Sequence, residues 1–533
     1  MKTVPLKQRW LREFMVWRFF FIVMLFAFPL EAKKEHGLSL IGPLKYEKDF
    51  SHFEYVNPEA PQRGTFTYGV VGSFDTLNPF TIKGTPAAGL SHLYASLTFA
   101  TLLERAHDEL FSSYGYVAQA LEVAEDKKSI TFYLRKEAQF HDGTPIQADD
   151  VVYTFYHLKE KGLPFFRQYY KDIAKVTALD AQTVRFDFKD SRNKELKSIV
   201  GDMPILSKKF LEKNPLDKMG LTPILGSGPY KIDTFKPGHR ITYKRIKNWW
   251  GDKVPSFQGW HNFEKIDYVY YRDPDVAFQA FKTGDVDFRI ENSASRWATQ
   301  YTFPAVQRGK VVKDKYHHAM PLPMVGLAFN IRRGKFQDRR VRQALALAFD
   351  FEWANKNLFY NTYKRIPTYF VNSDLASTGK PQGKVLELLK TYQDQLPREV
   401  LTVDFKLPVN DGSGNIRPAL QRAKRLLKEA GYRIQNFQFV HEKTGEPLKF
   451  EILLNSNSYE KVLQAFIQNL EILGVKAQLR IVDQAQYLNR VQNYDFDMIV
   501  HHVGQSLSPG NEQREMWASH SADQPGTQNV FGL

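Results

Sequence analysis

The sequence predicts an α/β protein with more than one domain. Segments with the 3.6-residue spacing of an amphipathic helix alternate with short segments in which apolar and polar residues alternate, as they do in a half-buried strand. The chain has 533 residues, which is too long for one ordinary domain, and its 43% hydrophobic and 25% charged residues are typical of globular proteins. These observations together favour several α/β domains around substantial hydrophobic cores.

The first 32 residues have the composition of an export signal. A basic start, MKTVPLKQRWLREFMVWR, precedes the apolar run FFFIVMLFAF at residues 19–28 and the sequence PLEA. An apolar run of this length spans about 15 Å as a helix, half of a bilayer core. We therefore expect residues 1–32 to be a signal peptide and the mature chain to be periplasmic. Because Leu30 is larger than the residue preferred before a cleavage site, an uncleaved anchor is the alternative.

The overall charge and the absence of cysteine exclude several classes of function. The formal net charge of +15 favours anionic partners, but the Lys and Arg residues are scattered and accompany no nucleic-acid-binding motif, so we expect no nucleic acid. The chain has no Cys, which excludes disulfides, thiolate metal sites, a Cys nucleophile and a lipid-modified Cys. Sequence motifs of serine hydrolases, zinc proteases and P-loop nucleotide-binding proteins are absent as well.

The stretch QFHDGTPIQADDVVYTF, residues 139–155, concentrates four potential ligands or acid–base groups. The preceding segment alternates as a strand, HDGTP has turn chemistry, and VVYTFYHL continues as a helix. Carboxylates in the first turn of a helix satisfy free N–H groups. We therefore interpret the four residues as a turn and a helix start, with a metal or catalytic site as the alternative: His141, Asp142, Asp149 and Asp150.

The second half of the chain repeats the helix–strand alternation. Asp338 caps a predicted helix in DRRVRQALALAF, and a second predicted helix, RAKRLLKEAGY, ends at Gly431. The segment YEKVLQAFIQNLEIL has six apolar residues on one helical face and stops at Gly474, and residues 475–481 alternate as a strand. Residues 372–418 have neither pattern and predict a long irregular segment.

Three long segments stand out: GYVAQALEVAEDKKSITFYLRKEAQFHDGTPIQADDVVYTFYHL (115–158), GSGPYKIDTFKPGHRITYKRIKNWW (226–250) and GLAFNIRRGKFQDRRVRQALALAFD (326–350). In their order and spacing they resemble the family 5 extracellular solute-binding proteins, the peptide-binding components of ABC importers. The resemblance extends from about residue 37 to the end of the chain. Four further segments resemble the YejA-like branch of this family: YVNPEAPQRGTF (55–66), SFDTLNPFTIKGTPAAG (73–89), RIENSASRWATQYTFPA (289–305) and GQSLSPGNEQREMW (504–517).

The resemblance implies a periplasmic binding protein-like fold of type II. In that fold two α/β lobes close around a ligand by a hinge, and an extra domain stands outside the cleft. The resemblance also implies a chain that lacks the usual C-terminal end of its relatives. The implied boundaries are residues 37–80 and 207–312 for lobe I, 81–206 for the extra domain and 313–533 for lobe II.

The resemblance implies a binding protein and not an enzyme. Expected ligands are oligopeptides or peptide conjugates, including microcin C-like compounds and cell-wall peptides, and the expected partners are inner-membrane ABC permease subunits. We expect a monomer without cofactor, metal or catalytic residues. Two alternatives stay open: a truncated relative that has lost its function, and an enzyme acting on peptides or glycans.

Many relatives hold the free amine of their ligand with a carboxylate in the segment that matches residues 500–510. Here that segment reads HHVGQSLSPG and contains no Asp. A neutral amide or hydroxyl binds an ammonium less strongly than a carboxylate does, which favours blocked, anionic or unusual peptides. The alternative is that Glu512 or Glu291 replaces the missing carboxylate. The candidate ligand-binding residues are Phe74, Asp75, Asn78, Glu291, Trp297, Asn330, Arg332, His501, His502, Gln505, Ser506 and Glu512.

Overall fold

The computed structural model describes residues 34–92, 96–318, 320–506 and 509–533, so the predicted signal peptide lies outside the described residues. The chain divides into two compact units, one ending at Arg289 and the other running from Ile290 to Leu533. The lobe and extra-domain boundaries given above stay predictions. Within the described ranges, no helix combines the length and the apolar composition required to cross a membrane.

The described residues of the first unit form three sheets. Their strand orders are β1-β4-β3, β2-β11-β10-β9 and β5-β6-β8-β7. The strands are β1 (Gly37–Ser39), β2 (Thr65–Val71), β3 (Leu103–Arg105), β4 (Ser112–Gly115), β5 (Ala118–Val123), β6 (Ser129–Leu134), β7 (Ile173–Asp180), β8 (Thr183–Phe188), β9 (Tyr230–Lys236), β10 (Arg240–Arg245) and β11 (Lys265–Tyr271). The helices are α1 (Ala148–Lys161), α2 (Pro164–Tyr169), α3 (Leu196–Gly201), α4 (Lys208–Lys213) and α5 (Pro274–Thr283).

The HDGTP segment forms the predicted turn and helix start. The Asp142 carboxylate accepts hydrogen bonds from the Thr144 backbone N–H at 3.0 Å and the Thr144 hydroxyl at 2.6 Å. Asp150 accepts hydrogen bonds from the backbone N–H groups of Gln147 and Lys208, both at 2.9 Å. His141 Nε2 contacts the Gly228 carbonyl at 2.9 Å, and burial lowers the pKa of its imidazole. These side chains hold the turn and the beginning of α1 in place.

The second unit is built on one four-stranded sheet in the order β12-β17-β15-β16, with a separate hairpin of β13 and β14. The strands are β12 (Met324–Phe329), β13 (Tyr432–Gln435), β14 (Gln438–His441), β15 (Lys449–Leu454), β16 (Lys476–Ile481) and β17 (Met498–Val503). The helices are α6 (Ala294–Thr299), α7 (Pro304–Gln307), α8 (Arg339–Leu347), α9 (Phe351–Asn357), α10 (Gly383–Lys390), α11 (Glu399–Thr402), α12 (Arg417–Glu429), α13 (Glu460–Leu473), α14 (Gln484–Gln492) and α15 (Asn511–Trp517).

Local sequence patterns account for the helices that cover this sheet. The six apolar residues predicted to share one face of α13 are all buried, and Gly474 ends the helix with φ +94°, a left-handed conformation that favours glycine. Asp338 caps α8 by accepting a hydrogen bond from the Arg340 backbone N–H. The same core contains the inward-facing residues of α12 and of strand β15. The predicted helix–strand alternation is therefore confirmed in this unit.

The prediction of an irregular segment over residues 372–418 is wrong in part. Helices α10 and α11 lie inside it, and α12 begins at Arg417. The sequence GKVLELLK has helical spacing, but α10 has no buried residue, and Val385 and Leu388 are about 60% exposed. Helical spacing over only eight residues is shorter than the window of about 11 to 18 residues in which the helical period is distinguished, which is why the segment reads as irregular.

Candidate ligand-binding site

The carboxyl ends of three parallel strands meet at one edge of the second unit's sheet. Strand β15 pairs in parallel with β16 on one side and with β17 on the other. After β15 the chain forms β16 on one side of that strand, and it then forms β17 on the other side. The direction in which strands are added to the sheet therefore reverses at β15. Ligands of open α/β sheets bind outside the carboxyl ends of strands at such a reversal. The loops that follow β15 and β17 therefore frame the candidate site, and we call this side the carboxyl edge.

A side-chain hydrogen bond joins the segment that follows β15 to the end of strand β17. Tyr459 ends a 3₁₀ turn, Asn457–Tyr459, shortly after β15, and its hydroxyl is 2.9 Å from Nε2 of His502 near the end of β17. His501 instead contacts the ring of Phe531, with the ring centroids 5.7 Å apart. Adjacent strand residues face opposite sides of a sheet, and the two imidazoles accordingly have different neighbours.

Beyond β17, three side chains form a polar relay. The indole Nε1–H of Trp517 donates to Oε1 of Gln513 at 3.1 Å, and Nε2 of Gln513 donates to Oε1 of Gln505 at 2.5 Å. Gln513 Nε2 also lies 3.1 Å from Oε1 of Glu512. The Nε2 atom of Gln505 is buried and has no hydrogen-bond partner in the described part of the chain. The relay therefore ends in an unpaired donor.

Aromatic rings pack around the base of this relay. The Trp517 ring stacks on Phe531 at 5.4 Å and meets Tyr369 edge-on at 4.9 Å. Phe531 is also the neighbour of His501. Burial lowers the pKa of the His501 imidazole, and the nearby His502 acts in the same direction. His501 is thus a neutral packing partner of the aromatic cluster at neutral pH.

Asn330 and Arg332 lie at the opposite edge of the sheet. Strand β12 runs antiparallel to β17, so Asn330 follows the strand at the point where β17 begins. Asn330 is 0% exposed, and its Nδ2 donates to the carbonyls of Tyr494 and Phe496, both at 2.9 Å. Strand β17 has six residues, a length of about 20 Å, which separates this amino edge from the Gln505 loop.

The Arg332 guanidinium is saturated by groups of the chain itself. It donates to the carbonyls of Ala522, Asn529 and Val530 and to Oδ1 of Asn330, and it lies 3.6 Å from the centroid of the Tyr494 ring. Burial lowers the pKa of this guanidinium. Asn330 and Arg332 thus fasten residues 522–530 to the sheet, and contact of either residue with a ligand stays a prediction.

Glu291 and Trp297 belong to the second compact unit and have intramolecular partners. The Glu291 side chain is only 2% exposed and accepts hydrogen bonds from the Ser293 backbone N–H, the Tyr301 hydroxyl and the Arg296 guanidinium. The ammonium of Lys313 lies 4.4 Å from the centroid of the Trp297 indole. The Glu291 carboxylate is therefore paired with the Arg296 guanidinium, and the Lys313 ammonium covers one face of the Trp297 indole.

The three candidates in the first unit follow strand β2. Phe74 is 1% exposed and packs against Tyr270 at 4.9 Å. Asn78 is 3% exposed, and its side chain bonds the Leu216 carbonyl and the Phe80 N–H. Asp75 is exposed and accepts a hydrogen bond from the Thr85 N–H at 2.6 Å. The structure thus uses Phe74 and Asn78 in packing and leaves only Asp75 at the surface; their contact with a ligand is untested.

The structure brings together Gln505, Glu512 and His501 through the relay and the aromatic cluster, and it adds Gln513, Trp517 and Phe531, which the sequence did not indicate. His502 faces the other side of the sheet, where Tyr459 is its partner. The spacing of Gln513 and Trp517, four residues apart on α15, is the signal that could have placed them on one helix face. Ser506 is exposed in the same loop. Within the described ranges, no cluster of three or more His, Asp or Glu residues is arranged to hold a metal ion.

Comparison with known proteins places the chain in a family. The model of the bacterial extracellular solute-binding proteins, family 5 Middle, matches residues 113–525. "Probable peptide-binding protein YejA" of Agrobacterium fabrum is 40% identical over 506 residues, covering 93% of this chain and 81% of the relative. "Peptidoglycan-binding protein YepA" of the same organism is 38% identical over 514 residues, covering 94% and 83%. "Uncharacterized protein YejA" of Escherichia coli K12 is 36% identical over 514 residues, covering 95% and 84%.

Solved structures share the fold at low sequence identity. The oligopeptide-binding protein AppA of Bacillus subtilis, in complex with a nonapeptide, matches with a TM-score of 0.62 and 20% identity over 89% of this chain and 85% of that one. NikA of Brucella suis, in complex with Fe(III)-EDTA, matches with a TM-score of 0.65 and 18% identity over 88% and 84%. The predicted fold class, periplasmic binding protein-like of type II, is therefore confirmed. The chain belongs to the bacterial extracellular solute-binding proteins of family 5.

Proposed function

We propose that this chain is the ligand-binding component of an ABC importer, that it acts in the periplasm, and that it binds oligopeptides or peptide conjugates without changing them chemically. The observation that carries the proposal is the 40% identity, over 93% of the chain, to a protein named as peptide-binding. Its partners are the permease subunits of the importer, and it works as a monomer. The relative named as peptidoglycan-binding supports cell-wall peptides as one ligand class.

The carboxyl edge of the second unit's sheet suits this task. A peptide can be held through its backbone by polar groups, while its side chains occupy adaptable, hydrated space. His502, Gln505 and Ser506 supply polar groups there, and Trp517 and Phe531 supply apolar surface next to the relay that ends at Gln505. We propose that these groups contact the ligand and that none of them forms an ion pair with the ligand amine.

The remaining candidate residues are less well supported as ligand contacts. Asp75, Glu512 and Trp297 each retain accessible surface and stay proposed ligand contacts. The polar groups of Asn78, Glu291, Asn330 and Arg332 bond to the chain itself, and Phe74 packs in the core, so these five contribute to binding only if the ligand-bound state rearranges them.

Native mass spectrometry of the purified mature chain tests the proposal. The protein is sprayed directly after purification and again after incubation with an equimolar mixture of random tripeptides to hexapeptides. We expect added masses that correspond to intact peptides, and the same peptides recovered unchanged by liquid chromatography. Absence of any bound peptide contradicts the proposal, and recovery of shortened peptides shows an enzyme instead.

A further inference from the structure

The relay of Trp517, Gln513 and Gln505 fixes which atom of Gln505 is left unpaired. The amide groups of Gln residues offer either oxygen or nitrogen to a neighbour, and their orientation has to be assigned from the hydrogen-bond network. An indole Nε1–H can only donate. The network here therefore has a fixed starting point at Trp517.

The polarity follows one bond at a time. Because Trp517 donates, the atom of Gln513 that faces it, at 3.1 Å, has to be the oxygen Oε1. Gln513 Nε2 then faces Gln505 at 2.5 Å, and this bond requires the oxygen of Gln505 as acceptor. The second contact of Gln513 Nε2, to the carboxylate of Glu512 at 3.1 Å, requires the same orientation, because a carboxylate only accepts. Two independent neighbours thus enforce one arrangement.

The consequence is a donor without an acceptor. Gln505 Nε2 is shielded from solvent and unpaired in the described part of the chain. Buried polar groups in proteins are nearly always hydrogen-bonded, and an unpaired one is costly. The other polar side chains of this edge show no comparable deficit: His502 bonds Tyr459, and Glu512 accepts from the Gly510 N–H at 2.9 Å.

We propose that Gln505 is a specificity-determining residue whose Nε2–H₂ donates to an oxygen acceptor of the ligand, a carbonyl or a carboxylate, and that the relay from Trp517 keeps the site closed to an ammonium at this position. The proposal rests on the proposed function and adds the polarity of the contact. Gln505 lies two residues after β17, at the edge where the strand order reverses, which is where ligands of such sheets bind. Because Nε2 is buried, a ligand oxygen reaches it only after the protein atoms that shield it have moved. The new hydrogen bond compensates for the free energy that this movement costs.

The relay also predicts how the polarity can be inverted. In Gln513→Glu the carboxylate still accepts from Trp517 but can no longer donate to Gln505. The Gln505 amide then turns and donates to this new carboxylate, and its oxygen takes the place of the free donor. In Gln505→Glu the bond from Gln513 Nε2 is kept, and the free donor is replaced by a carboxylate oxygen. In both variants, an acceptor oxygen replaces the donor at the position of Gln505 Nε2.

Isothermal titration calorimetry tests this polarity with a peptide selected by the wild-type chain in the random mixture described above. The peptide is used in three forms: unmodified, N-acetylated and C-terminally amidated. The proteins are the wild type, Gln505→Glu, Gln513→Glu and the control Gln343→Glu, which makes the same change at an exposed position of α8. Circular dichroism and thermal unfolding verify that each variant folds.

We expect both relay variants to bind the unmodified peptide about 10- to 100-fold more weakly, the loss expected for a hydrogen bond whose donor is replaced by an acceptor, while Gln343→Glu binds as the wild type does. N-acetylation should leave wild-type affinity within about threefold, because no ammonium is bound at this position. Loss of affinity on amidation identifies the terminal carboxylate as the acceptor; unchanged affinity identifies a backbone carbonyl.

The inference is overturned if Gln505→Glu and Gln513→Glu bind the peptide as well as the wild type does, or more tightly. It is also overturned if N-acetylation abolishes wild-type binding and Gln505→Glu strengthens binding of the free amine. These outcomes leave peptide binding itself intact. A wild-type chain that selects no peptide from the mixture removes both the proposed function and the inference.

Discussion

The two edges of the second unit's sheet carry polar networks of opposite character. At the amino edge, Asn330 and Arg332 are satisfied completely, and their partners are backbone carbonyls 160 to 200 residues away in sequence. At the carboxyl edge, the relay from Trp517 ends in a donor that has no acceptor in the described part of the chain. A saturated network stabilises the fold, whereas a buried polar group without a partner calls for a specific explanation. The difference is the one expected between a structural edge and the binding edge that we propose.

The largest effect is expected at the amino edge. Arg332→Ala removes the donors for three backbone carbonyls and the contact with the Tyr494 ring, and should lower the free energy of unfolding by about 3 kcal/mol. Urea denaturation followed by Trp fluorescence measures this loss. The control Arg340→Ala removes an Arg that is 47% exposed and pairs with Asp338, and should cost about 0.5 kcal/mol or less.

An Arg332→Ala variant whose urea midpoint of unfolding equals that of the wild type would contradict the stabilising role of the amino edge. So would a variant that keeps its stability but loses peptide affinity, because Arg332 would then be a ligand-binding residue and not a clamp.

An intermediate effect is expected from the first member of the relay. Trp517→Phe keeps an aromatic ring next to Phe531 but removes the Nε1–H donor, so only the Glu512 carboxylate still orients the Gln513 amide. Peptide affinity should fall about three- to tenfold, and the unfolding midpoint should change little. Calorimetry with the selected peptide measures the affinity. Unchanged affinity would show that the relay does not set the orientation of Gln505.

The smallest effect concerns pH. Burial lowers the pKa of His501 in the folded protein, whereas the unfolded chain takes up this proton near pH 6.5. Below pH 6.5 the unfolded state therefore binds more protons than the folded state does. The free energy of unfolding falls accordingly as the pH decreases from 6.5 toward the pKa of the folded protein. In His501→Asn the difference in unfolding free energy between pH 7.5 and pH 5.5 should shrink by up to about 1 kcal/mol. An unaltered difference would show that His501 is not held neutral by its packing against Phe531.

Local patterns are sufficient to predict much of the fold. The apolar face of α13 and its stop at Gly474, the Asp338 cap of α8, and the turn around Asp142 are each encoded within a few residues, and the structure has them as predicted. The short helix α10 is not predicted because its eight residues are fewer than the window of about 11 to 18 residues in which the helical period is distinguished.

The polar networks cannot be predicted in this way. The roles of Asn330 and Arg332 depend on the carbonyls of distant segments, so the sequence indicates polar residues after a strand but not that they are already satisfied. Position alone indicates Gln505 as a contact. That it presents a donor depends on the orientation of Gln513 and Trp517, which only their packing determines.

Hydrogen exchange measured by mass spectrometry, with and without the selected peptide, tests the separation of the two edges most directly. The account predicts slower exchange in the proteolytic fragments that contain Tyr459 and Gln505, and unchanged exchange in those that contain Arg332 and Tyr494. Slower exchange confined to the fragments of Arg332 and Tyr494, with none at Gln505, would contradict it.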